Sequence, residues 1–106
     1  MGHPVFRVEL TMRIHPGKEA EFERTWLSIG EAVTSHPANL GQWLSRSADD
    51  VGTYVIVSDW VDEQRFREFE RSERHRVHRE MLHPLRASGS MTTMTVLYYL
   101  PGAASR

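Results

Sequence analysis

The chain has 106 residues, of which 40% are hydrophobic and 25% charged, a profile typical of a single globular domain. It contains no cysteine, which excludes disulfides, thiol catalysis and cysteine-ligated zinc or iron–sulfur sites. The formal net charge is −1 and the basic residues are interleaved with glutamates, so we expect no nucleic-acid partner. No apolar run approaches the roughly 20 residues of a membrane span. The first residues lack a secretory-signal pattern, so we expect a cytoplasmic protein without a membrane partner.

The chain begins with the pattern of a strand followed by a helix. Apolar and polar residues alternate over 5–14, which predicts a strand with one apolar face. Residues 18–35 carry apolar side chains at helical spacing with charged residues between them, which predicts an amphipathic helix. The helix should end at His36, because the residue before a proline is disfavoured in the α conformation.

A hairpin of two strands is predicted next. Residues 40–47 and 53–60 both have strand patterns, and the turn between them at 48–52 is short enough for antiparallel pairing. In the second of these strands Val55 and Val57 point to one face, while the other face also carries large apolar residues. This pattern is typical of a central strand that is covered on both sides.

Two helical segments and a final strand complete the prediction. A short helix begins near Asp62, and Ser72 is a candidate N-cap for a continuation that Pro84 ends or kinks. A last strand, rich in Thr, Val, Leu and Tyr, is predicted over 91–100. Residues 101–106 are expected to form a frayed tail.

These elements follow the order β-α-β-β-α-β, the split βαβ arrangement, which is an α+β fold with helices on one face of a four-stranded antiparallel sheet. We expect one domain over residues 1–106, with its ordered core over 5–100. Two helices cover only one sheet face, while the third and fourth strands carry large apolar residues on both. We therefore predict a homodimer in which a partner's sheet covers the open face.

Candidate chemistry is confined to a pocket between helices and sheet, because no nucleotide, phosphate-loop or zinc-protease motif occurs. Trp60 is either core packing or one wall of a site for an aromatic ligand. His75 and His78 lie three residues apart on a predicted helix, where they pack, face solvent or, for a partly buried His78, accept a substrate proton. Nothing completes a metal site with this pair. Arg86 is either ion-paired on the surface or stabilises a phenolate at a pocket mouth.

Two signatures stand in a fixed order along the chain: Pro16-Gly17-Lys18-Glu19-x-Glu21-Phe22 and Ser58-Asp59-Trp60-x5-Phe66-x2-Phe69-x2-Ser72-x2-His75. In this order and spacing the sequence resembles the antibiotic biosynthesis monooxygenase family over nearly its whole length. The resemblance implies a ferredoxin-like fold that assembles as a dimeric α+β barrel. It also implies a monooxygenase that uses molecular oxygen, without flavin, haem or metal as cofactor. Its substrate would be a polycyclic aromatic polyketide of the anthrone or naphthacenone type, and its product a quinone or a hydroxylated ring.

The resemblance also suggests which residues form the site. Trp60 matches the family's pocket tryptophan, and the quinone-forming members have an Asn four residues before it and a Tyr six residues after it, where this chain has Ile56 and Phe66. We predict three catalytic residues, with His78 as the base, and six residues that contact substrate. The catalytic set is His78, Arg86 and His75, and the substrate-contacting set is Trp60, Tyr54, Ile56, Phe66, Phe69 and Met81.

Other functions stay open on the sequence. A polyketide cyclase or aromatase of similar fold needs only a shaped pocket and one acid or base. A non-catalytic dimeric accessory protein that binds a small molecule is favoured by the apolar residues at positions 56 and 66. Haem degradation is disfavoured, because the Asn that such relatives use is missing here.

Overall fold

The computed structural model describes residues 4–105. Residues 1–3, which belong to the N-terminal stretch used to predict localisation, and Arg106 of the predicted tail lie outside the described residues. Within 4–105, no helix has the length and apolar character that crossing a bilayer requires. The main elements are β1 (Val5–Ile14), α1 (Glu19–Thr34), β2 (Asn39–Arg46), β3 (Thr53–Trp60), α2 (Glu63–Glu70), α3 (Glu73–Leu82) and β4 (Arg86–Val96).

The four strands form one antiparallel sheet in the order β2-β3-β1-β4. This is the ferredoxin-like α+β arrangement, so the predicted fold is confirmed. The two central strands pair in register, with Phe6 opposite Trp60 and Met12 opposite Tyr54. The residues between them alternate, so the even-numbered side chains of β1 and β3 all lie on the face that the helices cover.

The second and third helices are separate because each has its own N-cap. The Asp62 carboxylate accepts the backbone N–H of Arg65 at 2.8 Å and starts α2. The Ser72 hydroxyl accepts the backbone N–H of His75 at 3.2 Å and starts α3, as the sequence predicts. A 3-10 turn at His83–Leu85, which contains Pro84, follows α3 and leads into β4.

The predicted bounds of the last strand are wrong. The strand begins at Arg86 rather than at 91, and residues 97–100 lie beyond its end at Val96. Residues 88–90 are small and polar, which is typical of a loop, but they pair with residues 11–13 of β1. Their small size leaves room for the Arg86 side chain, whose Nη1 lies 2.7 Å from where a Cβ at Gly89 would stand.

Tyr54 belongs to the hydrophobic core and not to a pocket. Its ring packs against Phe22 of α1 with centroids 4.9 Å apart, and its hydroxyl donates to the Glu23 carboxylate at 2.5 Å. Burial, reinforced by the hydrogen bond to Glu23, raises the pKa of Tyr54 to about 12. The phenol therefore stays neutral and holds α1 against β3.

The other face of the sheet is open in the single chain. Val55 and Val57 are half-buried there, and Trp43 is 50% exposed. The Arg7 guanidinium crosses from β1 to β3 and makes two hydrogen bonds with Asp59, at 2.8 and 2.9 Å. Large apolar side chains follow β4 and are exposed: Leu97, Tyr98, Tyr99 and Leu100.

We expect Tyr54→Phe to lower the free energy of unfolding by about 1.5 to 3 kcal/mol at pH 7, because it removes a hydrogen bond to a charged group. The wild type loses the stabilisation from its raised pKa as pH rises from 10 toward 12, because the unfolded phenol ionises first. The variant has no such loss. Urea unfolding at pH 7, 9 and 11 measures both effects, and an equal alkaline loss in both proteins would contradict this account.

Candidate functional site

A cavity of about 180 Å³ lies between the helices and the covered face of the sheet. Its floor is formed by alternate residues of the central strands, and its sides by apolar residues of α1 and α2. Floor and sides present flat or branched apolar surfaces, which suit a flat hydrophobic ligand. These residues are Val8, Leu10, Met12, Ile56 and Trp60 below, and Trp26, Ile29, Val33, Phe66 and Phe69 at the sides.

Trp60 is held in one orientation by its neighbours. Its ring lies 5.4 Å from Phe66 and 5.0 Å from Phe69, centroid to centroid, and His36 packs edge-on at 5.5 Å. Its Nε1–H donates to the Ser58 hydroxyl at 3.0 Å. The indole is only 1% exposed yet lines the cavity, so it serves both as core packing and as a wall of the site.

One side of the cavity is basic. We name as the basic wall the five lining residues His75, His78, Arg79, His83 and Arg86. Glu70 is the acidic lining residue, and its carboxylate forms an ion pair with Arg67, from which it accepts a hydrogen bond at 3.2 Å. Within residues 4–105, no carboxylate forms an ion pair with Arg79 or Arg86. The wall therefore favours a ligand that carries or develops negative charge.

The imidazole of His75 is neutral at pH 7. Burial, and then the positive charge of Arg79, lower its pKa below the ordinary value of 6.5, although Glu70 acts in the opposite direction. The ring packs on Phe69 with centroids 4.6 Å apart. His78 is half-buried, lies one turn further along α3 and lines the same cavity. Both imidazoles are placed where they can accept a proton from a bound ligand.

The structure brings most of the predicted site residues to one cavity: Trp60, Ile56, Phe66, Phe69, His75, His78 and Arg86. Tyr54 and Met81 do not line this cavity. The Tyr54 position on the sheet is covered by α1. Met81 is 48% exposed, because the cavity side of α3 passes through positions 75, 78 and 82.

Among the lining residues that the sequence prediction missed, four bear on the polar chemistry of the site. Arg79 and His83 continue the basic wall, and Arg79 could have been found as the i+4 neighbour of His75. Ser58 lies on the floor between Ile56 and Trp60, so the strand alternation contained a signal for it. Gln42 lines the cavity from β2, and only the hairpin register places it there.

The cavity offers few ligands for a metal ion. Across residues 4–105, no three side chains of His, Asp or Glu lie close enough together to hold an ion. The lining itself supplies imidazoles and guanidiniums on one side and a single engaged carboxylate. Its own acid–base chemistry is therefore limited to the imidazoles.

A ferredoxin-like sheet with an apolar, basic-sided cavity under its helices defines a small-molecule site. The family model described as antibiotic biosynthesis monooxygenase matches residues 5–81. The chain belongs to this family, and the resemblance inferred from the sequence is confirmed. Membership in this family supports a monooxygenase activity in general terms. No curated protein shows significant similarity to the chain.

Several solved structures have the same fold. SnoaB, a cofactor-independent oxygenase from Streptomyces nogalater, is 24% identical with a TM-score of 0.80, over 95% of this chain and 100% of that one. A protein from Caulobacter crescentus that carries the family's name is 19% identical, with a TM-score of 0.82 over 91% and 92% of the two chains. Another from Nitrosomonas europaea is 16% identical, with a TM-score of 0.82 over 92% and 94%. At these identities the likeness shows the fold alone.

We expect His75→Gln to flatten the acid side of the stability profile. The wild type loses stability as pH falls below 6.5, because the unfolded imidazole binds a proton that the folded one, with its lowered pKa, resists. The variant lacks this contribution and loses less stability between pH 7 and 5. Urea unfolding at half-unit pH intervals measures the difference, with the exposed His15→Gln as the control. Equal slopes for wild type and His75→Gln would contradict a neutral, buried imidazole.

Proposed function

We propose that the protein is a cofactor-independent monooxygenase that oxidises a fused-ring aromatic of the polyketide type, such as an anthrone or naphthacenone, with molecular oxygen. The observation that carries the proposal is the juxtaposition of an apolar cavity, with Trp60 as one wall, and the basic wall. Family membership supports the reaction class, and SnoaB, itself named a cofactor-independent oxygenase, has the same fold.

The cavity shape favours a flat ring held between sheet and helices. A volume of about 180 Å³ is smaller than the roughly 300 to 1,000 Å³ of sites that enclose a drug-sized ligand. Part of a tricyclic or tetracyclic substrate would therefore lie inside, against Trp60 and Ile56, and the remainder would extend toward solvent. The apolar lining excludes water from the enclosed part, which strengthens electrostatic interactions there.

The chemistry proposed for this site begins with proton transfer. His78 accepts the proton of a phenolic or enolic hydroxyl, and the Arg86 guanidinium stabilises the oxyanion that forms. The electron-rich anion then passes an electron to molecular oxygen. Over the whole reaction, a ring methylene and one O2 become a ring carbonyl and one water. The protein supplies orientation, a dry cavity and proton handling.

We further propose that the open sheet face binds the same face of a second copy. Half-buried Val55 and Val57 and the half-exposed Trp43 lie on this face, and exposed apolar residues 97–100 follow β4, so the single chain leaves apolar area uncovered. We expect the wild type to sediment as a dimer and Val57→Glu to sediment as a monomer, because the new charge would be buried between sheets. Analytical ultracentrifugation measures this, and a monomeric wild type would contradict the proposal.

The function is tested by oxygen uptake with anthrone-type substrates in metal-free buffer. We expect one O2 consumed per quinone formed, and His78→Gln to lower kcat by about 10²- to 10⁴-fold, the usual range for loss of a general base. His15→Gln is the matched control, since its imidazole lies outside the cavity. Conversion of a poly-ketone substrate without oxygen would instead identify a cyclase. Ligand binding without turnover of any substrate would identify an accessory protein.

Gly89 offers a way to move Arg86 without removing it. A Cβ at residue 89 would meet only the mobile end of Arg86 at close range, and the backbone there does not have a positive φ. We expect Gly89→Ala to displace the guanidinium and to lower kcat/KM by about 100-fold with little loss of stability. We expect the same loss of kcat/KM in Arg86→Met, which removes the guanidinium. Ser90→Ala, on the other face of β4, is the control. Full activity in Gly89→Ala would show that the position of Arg86 is unimportant.

A further inference from the structure

We propose that Gln42 and Ser58 form a polar subsite that selects ring systems with two neighbouring oxygen substituents, one accepting and one donating a hydrogen bond. This inference rests on the proposed function in taking an aromatic ring as the occupant of the cavity. It adds the oxygenation pattern at one edge of that ring.

The two residues lie side by side at one edge of the cavity floor. Gln42 in β2 is the register partner of Ser58 in β3, so both side chains project from the same face at neighbouring positions. The floor residues next to them on β1 and β3 are apolar: Val8, Ile56 and Trp60. This pair therefore supplies the neutral polar atoms of an otherwise hydrophobic floor.

The pair lies on the side of the sheet opposite to Arg86. The strand order places β2 and β3 toward one edge and β4, which starts at Arg86, at the other. Across the strands, Ser58 and β4 are separated by two strand spacings, about 10 Å. Along the strands, Ser58 pairs with Val8 and Arg86 pairs with Ile14, which lie six residues or about 20 Å apart on β1. The pair is therefore remote from Arg86, and a fused-ring system with its neutral oxygen substituents at Gln42 and Ser58 extends from there along the cavity toward the basic wall.

Ser58 is prepared to donate a hydrogen bond. Its oxygen already accepts the Nε1–H of Trp60 at 3.0 Å, which leaves the hydroxyl hydrogen for another acceptor. Within residues 4–105, no acceptor takes it. A ligand oxygen above the floor can fill this role.

Gln42 is prepared to accept one. Its Nε2 donates to the backbone carbonyl of Gly30 in α1 at 3.2 Å, and this bond fixes which end of the amide is oxygen. Among the hydrogen bonds of residues 4–105, none is made to Oε1. A Cβ at Gly30 would lie 3.2 Å from the same Nε2. Glycine is unfavourable inside a helix, but here its lack of a side chain leaves space for the Gln42 amide.

The ligand class follows from these two atoms. The oxygen above Ser58 accepts a hydrogen bond, and the neighbouring substituent above Gln42 is a hydroxyl that donates one. A catechol-like edge or an adjacent keto–enol pair has this pattern. A ring without these oxygens offers neither protein group a hydrogen-bond partner, so the site discriminates against it.

Anaerobic fluorescence titration with naphthalene, 2-naphthol and 2,3-dihydroxynaphthalene tests the subsite without turnover. We expect the wild type to bind the diol at least about 10-fold more tightly than naphthalene. Ser58→Ala and Gln42→Met should each reduce that preference, measured as the ratio of the dissociation constants of naphthalene and the diol, by about 5- to 10-fold. Ser58→Thr, which keeps the hydroxyl, should restore the preference.

Thr93→Val is the matched control, because Thr93 lies in the same row of the sheet, opposite Val8, but does not line the cavity. An unchanged diol preference in both Ser58→Ala and Gln42→Met would overturn the subsite. Oxygen uptake with an anthrone-type substrate separates the two proposals. A wild type that shows the diol preference but no uptake contradicts the oxygenase function alone, and one with uptake but without the preference contradicts the subsite alone.

Discussion

The packing of one indole fixes the geometry of the whole site. Trp60 closes the end of β3, and the two phenylalanines of α2 rest on it. A helix of eight residues is marginal by itself, so α2 depends on this contact for its position. Because α3 starts at the Ser72 cap immediately afterwards, the same contact determines where His75 and His78 face. The position of the α3 residues in the basic wall thus depends on the packing of Trp60 with the phenylalanines of α2.

The cavity exists because polar side chains occupy positions where a packed core would hold leucines. On α3 the inward positions are imidazoles at 75 and 78, and only at Leu82 does the helix return to ordinary core packing. Gly30 has a similar effect on α1. Because it has no side chain, the Gln42 amide can approach the helix and donate to the Gly30 carbonyl. The result is an apolar floor with different polar chemistry at its two sides.

Local sequence patterns predict the fold well and the site in part. The alternation over 5–14 and 53–60 is strong because both strands are central, and the same pattern places Ile56 and Trp60 on one face. It does not reveal that Tyr54, on that face, lies under α1 rather than in the cavity. Gln42 and the start of β4 depend on strand register and on space for Arg86, which are non-local and have no signature in a short window.

The end of β4 at Val96 has a consequence for how the chain behaves in water. Four large apolar residues in succession follow the strand, and each is exposed by about three-quarters or more, between 73% and 89%. The single chain carries this apolar segment exposed to water, which promotes non-specific aggregation. A rise in protein concentration would therefore lower the recovery of dissolved protein without any unfolding of the sheet.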